Sequence, residues 1–322
     1  MRKIIILAAG LLTLAATSAK AQEFPSGRIT VIVPFAPGGG PDVIARLVNT
    51  RLSENIRQPI IVENRAGASG MIGADYVKKA PPSGYTLLHA SAIFSLAPSL
   101  YPGAANNYDP MKDFQPVTQL VNSWALLLVQ SQSPVRSVAE LVAFIRQKPK
   151  GASFGSSGSG TGNHLLAEMF RLSTGLPMLH IPYKGSGLAL QDLMGGNFDF
   201  MFDPMSSSLN LVKSGKLRAL GVVTRTRLPV IPEVPTMAES GHPSVELDQW
   251  NGIIAPRGTP RDVVNKLNAE YVKAVRNPDV TRRIEELGVV VRTSTPEEFA
   301  QQVEREMVKL GKLVKEANIK AE

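Results

Sequence analysis

Two segments of the 322-residue chain place small, hydrogen-bonding residues where an anion can be held. The first runs from Pro34 to Asp42 and contains Gly38, Gly39 and Gly40. The second runs from Phe154 to Thr161 and mixes serine with glycine. Glycine lets a backbone approach a ligand closely. A helix that starts just after such a turn offers free amides and the positive end of its dipole. Ser156, Ser159 and Thr161 add hydroxyl donors. The same residues also suit an ordinary tight turn from strand to helix, and composition leaves both readings open. Neither segment is a GxGxxG or GxxxxGK[ST] nucleotide loop, and the one GxSxG match, Gly151 to Gly155, puts Ser153 inside the expected strand Ala152 to Ser156 and not at a strand-to-helix elbow.

Three other residues bear on chemistry. Asp203 ends the run Phe198 to Asp203, where it can accept from a ligand hydroxyl or ammonium, or cap the Ser-rich turn that follows. Asp42 falls in a first helical turn, where a carboxylate is stabilised with or without a ligand. His164 follows the serine cluster, which gives a secreted Ser/His hydrolase as a rival reading. The missing elbow and the place of His164 on the helix that the loop opens count against it, and the chain is read as not an enzyme.

These residues need a frame. Ile29 to Phe35 is β-branched and apolar, the pattern of a buried parallel strand. Pro41 suits the first turn of a helix, and Val43, Ile44, Leu47, Val48 and Leu52 follow at helical spacing. A strand at Pro59 to Val62, a loop from Gly67 to Gly73 leading into a helix, and a strand at Tyr85 to His89 complete a β-α-β-α-β unit. A second α/β unit is expected from Val117 to Val223, and Gln249 to Ala255 returns as a strand. Thr295 and Glu298 form a capping box for a long last helix. The expected organisation is lobe 1 from residues 22–122 and 247–322, and lobe 2 from 123–246. Two crossovers, near Val121–Ala125 and Leu247–Gly252, join them around a cleft. Trp124 and Trp250 are expected to pack at that hinge.

Composition narrows the partners. Residues 1–21 read as a cleaved signal sequence: Arg2 and Lys3, an apolar run from Ile4 to Leu14, then Ala19-Lys20-Ala21. Its removal takes three cations and lowers the formal charge from +8 to +5. No block of basic residues suggests nucleic-acid binding. The absence of cysteine excludes disulfides, thiolate metal sites and a Cys nucleophile. Four scattered histidines give no metal-binding spacing, so no metal and no cofactor are expected.

The chain resembles the Bug-type periplasmic solute receptors of the tripartite tricarboxylate transporter family. The resemblance rests on Ile32 to Asp42, Val62 to Gly67, Pro82 to Thr86, Tyr108 to Phe114, His180 to Gly185, Phe202-Asp203 and Ala255 to Pro260, in that order. It implies an α/β, two-lobed type II periplasmic binding fold that closes on a small carboxylate, as a monomer, for delivery to membrane transporter subunits. A sensory role, with the closed form acting on a signalling partner, is the alternative. The resemblance maps the site onto Phe35, Gly38, Gly39 and Asp42, onto Ser156, Gly158, Gly160 and Thr161, and onto Ser91 at the third strand's end. Asp203 would face the variable part of the ligand. Pro41, Ser69, Met71 and the segment Ala92 to Ser95 depart from the family's usual residues. Phe35, Ile93 and Phe94 then suggest apolar walls, and aromatic or short aliphatic acids, amino acids among them, are expected to bind better than tricarboxylates.

Overall fold

Ile29–Val33 (β1) buries four of its five side chains, as a β-branched strand covered on both faces should. The structure is a computed structural model that describes residues 24–100, 103–104, 108–149 and 151–316. The expected signal sequence, residues 1–21, lies outside the described residues. After β1 come α1 (Gly40–Ile56), β2 (Ile60–Asn64), α2 (Met71–Lys78) and β3 (Thr86–Ser91). β2 and β3 flank β1 in parallel. A short helix α3 (Ala97–Leu100) follows.

β4 (Phe114–Ser123) then crosses to the second sheet. Only Trp124 separates it from β5 (Ala125–Gln130). The second unit continues with α4 (Val138–Gln147), β6 (Ala152–Ser156), α5 (Gly162–Thr174), β7 (Met178–Pro182) and α6 (Ser186–Gly195). It ends with β8 (Phe200–Pro204), α7 (Met205–Lys213) and β9 (Leu217–Val222). Its strands lie in the order β7-β6-β8-β5-β9. β6 is parallel to β7 and β8, whereas β5 enters antiparallel between β8 and β9.

The chain returns through β10 (Gln249–Pro256), followed by α8 (Arg261–Val275), α9 (Pro278–Glu286), β11 (Val290–Val291) and α10 (Pro296–Glu316). The first sheet has the order β11-β4-β10-β3-β1-β2. β10 is antiparallel to both neighbours, and its pairing with β4 extends from Gln249↔Ser123 to Pro256↔Phe114. Two sheets joined by two crossovers are therefore present, as expected.

Local details differ from the expectation in two places. The loop after β2 ends earlier: α2 starts at Met71, and Gly73 lies inside it. A Cβ at Gly73 would stand 2.8 Å from Pro34 Cβ and 3.0 Å from the Arg65 carbonyl oxygen, so this glycine serves close helix–strand packing, not a turn. The last helix does more than return to the first sheet. Thr295 caps it, with reciprocal bonds to Glu298 of 2.9 and 3.1 Å. Phe299 and Val303 join the core of the first sheet, but Leu310 and Val314 join an apolar cluster that includes Leu165, Phe170 and Leu247. Trp250 is fully buried, meets Phe299 edge-on at 4.9 Å and donates its indole N–H to Glu306. Trp124 is half-buried, and its carbonyl accepts from the Met205 amide at 2.8 Å.

Gly252 sits in β10 between these groups. A Cβ there would lie 2.4 Å from the Phe299 ring and 2.8 Å from the Thr118 carbonyl oxygen. Gly252→Ala is expected to destabilise the protein by about 1–3 kcal/mol through overpacking. Urea denaturation checks this; a midpoint equal to that of the wild type would refute the packing account.

Candidate functional site

The carboxyl ends of β1, β2, β3, β6, β7 and β8 all converge on one cavity of about 770 Å³. This is where ligands bind in open α/β sheets. One side is built by Phe35, Ala36, Gly39, Gly40 and Pro41, which lead from β1 into α1. Facing them are Ser157, Gly158, Ser159, Thr161, Gly162 and Asn163, which lead from β6 into α5. Both helices thus present their N-termini to one space, where the first-turn amides lack intrahelical acceptors.

The two lobes are in contact around this space. Ser69 donates its hydroxyl to the Ser159 carbonyl oxygen. Added methyl groups show how close the approach is: one at Gly160 would come within 2.6 Å of Leu100 Cδ1, and one at Gly185 within 3.0 Å of Ala36 Cβ.

The charge of the lining is one-sided. Among the described residues that border the cavity there is no Asp, Glu, Arg or His, and Lys184 is the one charged side chain. Lys184 is exposed at the rim. The other walls are apolar, from Phe35, Ile93, Leu165, Leu247 and Leu310, or neutral and polar, from Ser91, Ser123, Gln249 and Asn251.

The ten residues singled out from the sequence divide into two groups. Phe35, Gly39, Ser91, Gly158 and Thr161 border the cavity. Gly38, Asp42, Ser156, Gly160 and Asp203 are not among its lining residues. Asp42 is buried and faces its own loop. Its Oδ2 accepts from the Gly38 amide at 2.9 Å and from Arg46 Nε at 3.1 Å, and its Oδ1 accepts from Asn64 at 2.8 Å. Burial acts to raise its pKa, but the bonds from Arg46, Gly38 and Asn64 and the Arg46 charge together hold it below the usual carboxylate value. Asp42 therefore shapes the first loop. Asp203 is fully buried beneath the lining residues Pro204 and Ser206. Burial, opposed by the hydroxyls of Ser186, Ser207 and Ser208, raises its pKa to about 7. It caps its own turn by accepting from Ser207.

Ser156 is also fully buried. Its hydroxyl meets His180 Nε2 at 2.6 Å, not His164. The two imidazoles stack, with centroids 3.9 Å apart and planes 7° from parallel. His164 Nδ1 accepts from the Gly160 amide at 2.8 Å, so that nitrogen carries no proton. Burial first, then the charges of His180 and Arg171, lower the His164 pKa to about 3. Burial alone brings His180 to about 4. Both rings are neutral near pH 7 and brace the loop from Gly158 to Thr161.

Phe94 corrects a second expectation. It does not wall the cavity but lies 3% exposed, stacked on Tyr108 at 5.0 Å and edge-on to Phe114 at 5.1 Å. Ile93 keeps its expected place at the cavity. Sequence reasoning missed Lys184, Asn163 and the hinge-strand residues Gln249 and Asn251. Lys184 lies inside a motif already quoted. Asn163, whose Oδ1 accepts from the hydroxyls of Ser157 and Thr161 at 2.7 Å each, follows the glycine-serine loop directly. Leu310 had no local signal, because only the path of α10 brings it here.

The model of the tripartite tricarboxylate transporter family receptor matches residues 44–319. Protein BugT of Bordetella pertussis (strain Tohama I) is 34% identical over 98% of this chain and 96% of its own length. Two solved structures from Rhodopseudomonas palustris superpose closely. Rpa4515 with adipate is 36% identical, with a TM-score of 0.88, 93% of this chain covered and 100% of that one. MatC with bound malate is 34% identical, with a TM-score of 0.85 and coverage of 90% and 100%.

The loop chemistry is testable without a ligand. Asp42→Asn keeps the shape but loses the charge that Arg46 and the Gly38 amide bind. It should cost about 1–3 kcal/mol at pH 7. Because the folded pKa lies below the unfolded 3.8, this stabilisation is complete above 3.8 and is lost as pH falls further. Urea melts of both proteins should therefore converge in acid. A gap that widens below pH 3.8 would contradict the assignment.

Proposed function

The chain belongs to the receptor family of tripartite tricarboxylate transporters, and we propose that it captures a small organic carboxylate between its lobes in the periplasm. One observation carries the ligand's charge: two helix N-termini and a lysine face a cavity whose described lining holds no acid. An anion meets dipoles and amides there, with no carboxylate to repel it. The family and the adipate and malate found in relatives support a carboxylate over other anions. In this reading residues 22–122 and 247–322 form one lobe and 123–246 the other. Phe35, Gly39, Ser91, Gly158 and Thr161 touch the ligand. Gly38, Asp42, Ser156, Gly160 and Asp203 hold the loops.

The receptor delivers its ligand to membrane transporter subunits, acts as a monomer and needs no cofactor or nucleic acid. It performs no turnover. Ser156 is enclosed and its partner His180, with a pKa of about 4, is a poor base near neutrality. The apolar lining and the single lysine favour acids with one or two carboxylates over tricarboxylates, since each buried charge needs its own donors.

Gly39 gives a direct test. A Cβ there meets only the Ala36 carbonyl oxygen, at 3.6 Å, and the backbone is extended at φ −73°. Gly39→Val should therefore fold normally while its methyl groups stand in the cavity. Calorimetry with acetate, benzoate, succinate, adipate and citrate should show binding of a mono- or dicarboxylate that the variant loses at least tenfold. Citrate binding more tightly than every other acid would overturn the preference. Unchanged affinity in the variant would move the site elsewhere.

A further inference from the structure

We infer that Asn251 is a specificity-determining residue, donating from the hinge strand to a second oxygen on the body of the ligand, and that His89 fixes its orientation. The inference rests on the carboxylate reading above. β10 carries Gln249 opposite Ser123 of β4, and Asn251 opposite Ser91 of β3. All four border the cavity, and none is charged. They form a polar back wall distinct from the two helix N-termini.

Asn251 Oδ1 lies 3.1 Å from His89 Nε2. His89 is completely enclosed, and its Nδ1 has no partner. Burial lowers its pKa to about 4, so the ring is neutral near pH 7. A neutral ring carries one proton. On Nδ1 that proton would be a buried donor without an acceptor, which is costly. On Nε2 it bonds to Asn251. The Nε2–H tautomer is therefore selected, and it commits the amide oxygen of Asn251 to His89. The amide NH₂ is left for the cavity that Asn251 borders, since no described residue accepts from it. Two N–H groups at the cavity call for an acceptor on the ligand. A hydroxyl, oxo or second carboxylate oxygen supplies one, and a hydrocarbon body does not. A site that donates to a substrate oxygen discriminates strongly against an analogue lacking it.

The test uses the whole mature receptor and two matched pairs, malate with succinate and 3-hydroxybutanoate with butanoate. In at least one pair calorimetry should show the hydroxylated acid binding about fivefold or more tightly. Asn251→Leu should reduce that preference to within about twofold. His89→Phe should erode the same preference. Nitrogen-15 NMR of the ligand-free protein at pH 7 should find the His89 proton on Nε2. A proton on Nδ1, a preference that survives in Asn251→Leu, or no preference in either pair overturns the inference while leaving carboxylate capture intact. A wild type that binds none of the four acids overturns both.

Discussion

The β4–β10 ladder is the constraint on which this molecule depends. The chain passes between sheets once at Trp124 and again on the way to Gln249. The strands at both crossings are hydrogen-bonded to each other, from Gln249↔Ser123 to Pro256↔Phe114. One backbone ladder thus carries both connections and also forms the back wall of the cavity. A slip of one residue would turn Gln249 and Asn251 from the cavity into the opposite layer. The buried edge-on contact of Trp250 with Phe299, tied to Glu306, pins the ladder to the last helix. That helix then runs on to Leu310 and Val314, within reach of the second lobe's apolar side chains.

Much of this frame was legible in the residues. The β-branched run before Gly38–Gly40 gave the first strand end, and Pro41 marked the helix start after it. Which residues face the ligand was less legible. Periodicity says which side of a strand is buried, but a loop residue can turn to the cavity or to its neighbours. Asp42 and Ser156 look like ligand contacts by type, yet Arg46, Asn64 and His180 lie closer at hand and occupy them. Those partners are remote in sequence for Asn64 and His180, so no local pattern revealed them. Phe94 likewise found Tyr108 and Phe114 in the core.

Closure rests on loops held in shape beforehand. Ala68 and Ser69 both adopt left-handed backbone, with φ of 46° and 52°, between Gly67 and Gly70. Non-glycine residues there cost on the order of 1–2 kcal/mol each. The Ser69 hydroxyl uses that shape to reach across to Ser159. On the other side the stacked, neutral histidines hold the Gly160 amide without adding a charge. The ligand therefore meets fixed dipoles and does not have to organise them, which lowers the entropy lost on binding.

The distribution of charge around the cavity separates capture from retention in their response to salt. Enclosed helix amides are screened little by ions, whereas an exposed lysine is screened within a Debye length of about 8 Å at physiological ionic strength. Lys184 at the rim acts mainly while an anion approaches, and α1 and α5 act once it is inside. A rise in external salt would then slow the arrival of ligand and leave its residence time in the closed cleft nearly constant. For a binding protein in a compartment that follows the osmolarity of its surroundings, the bound complex is the better insulated of the two states.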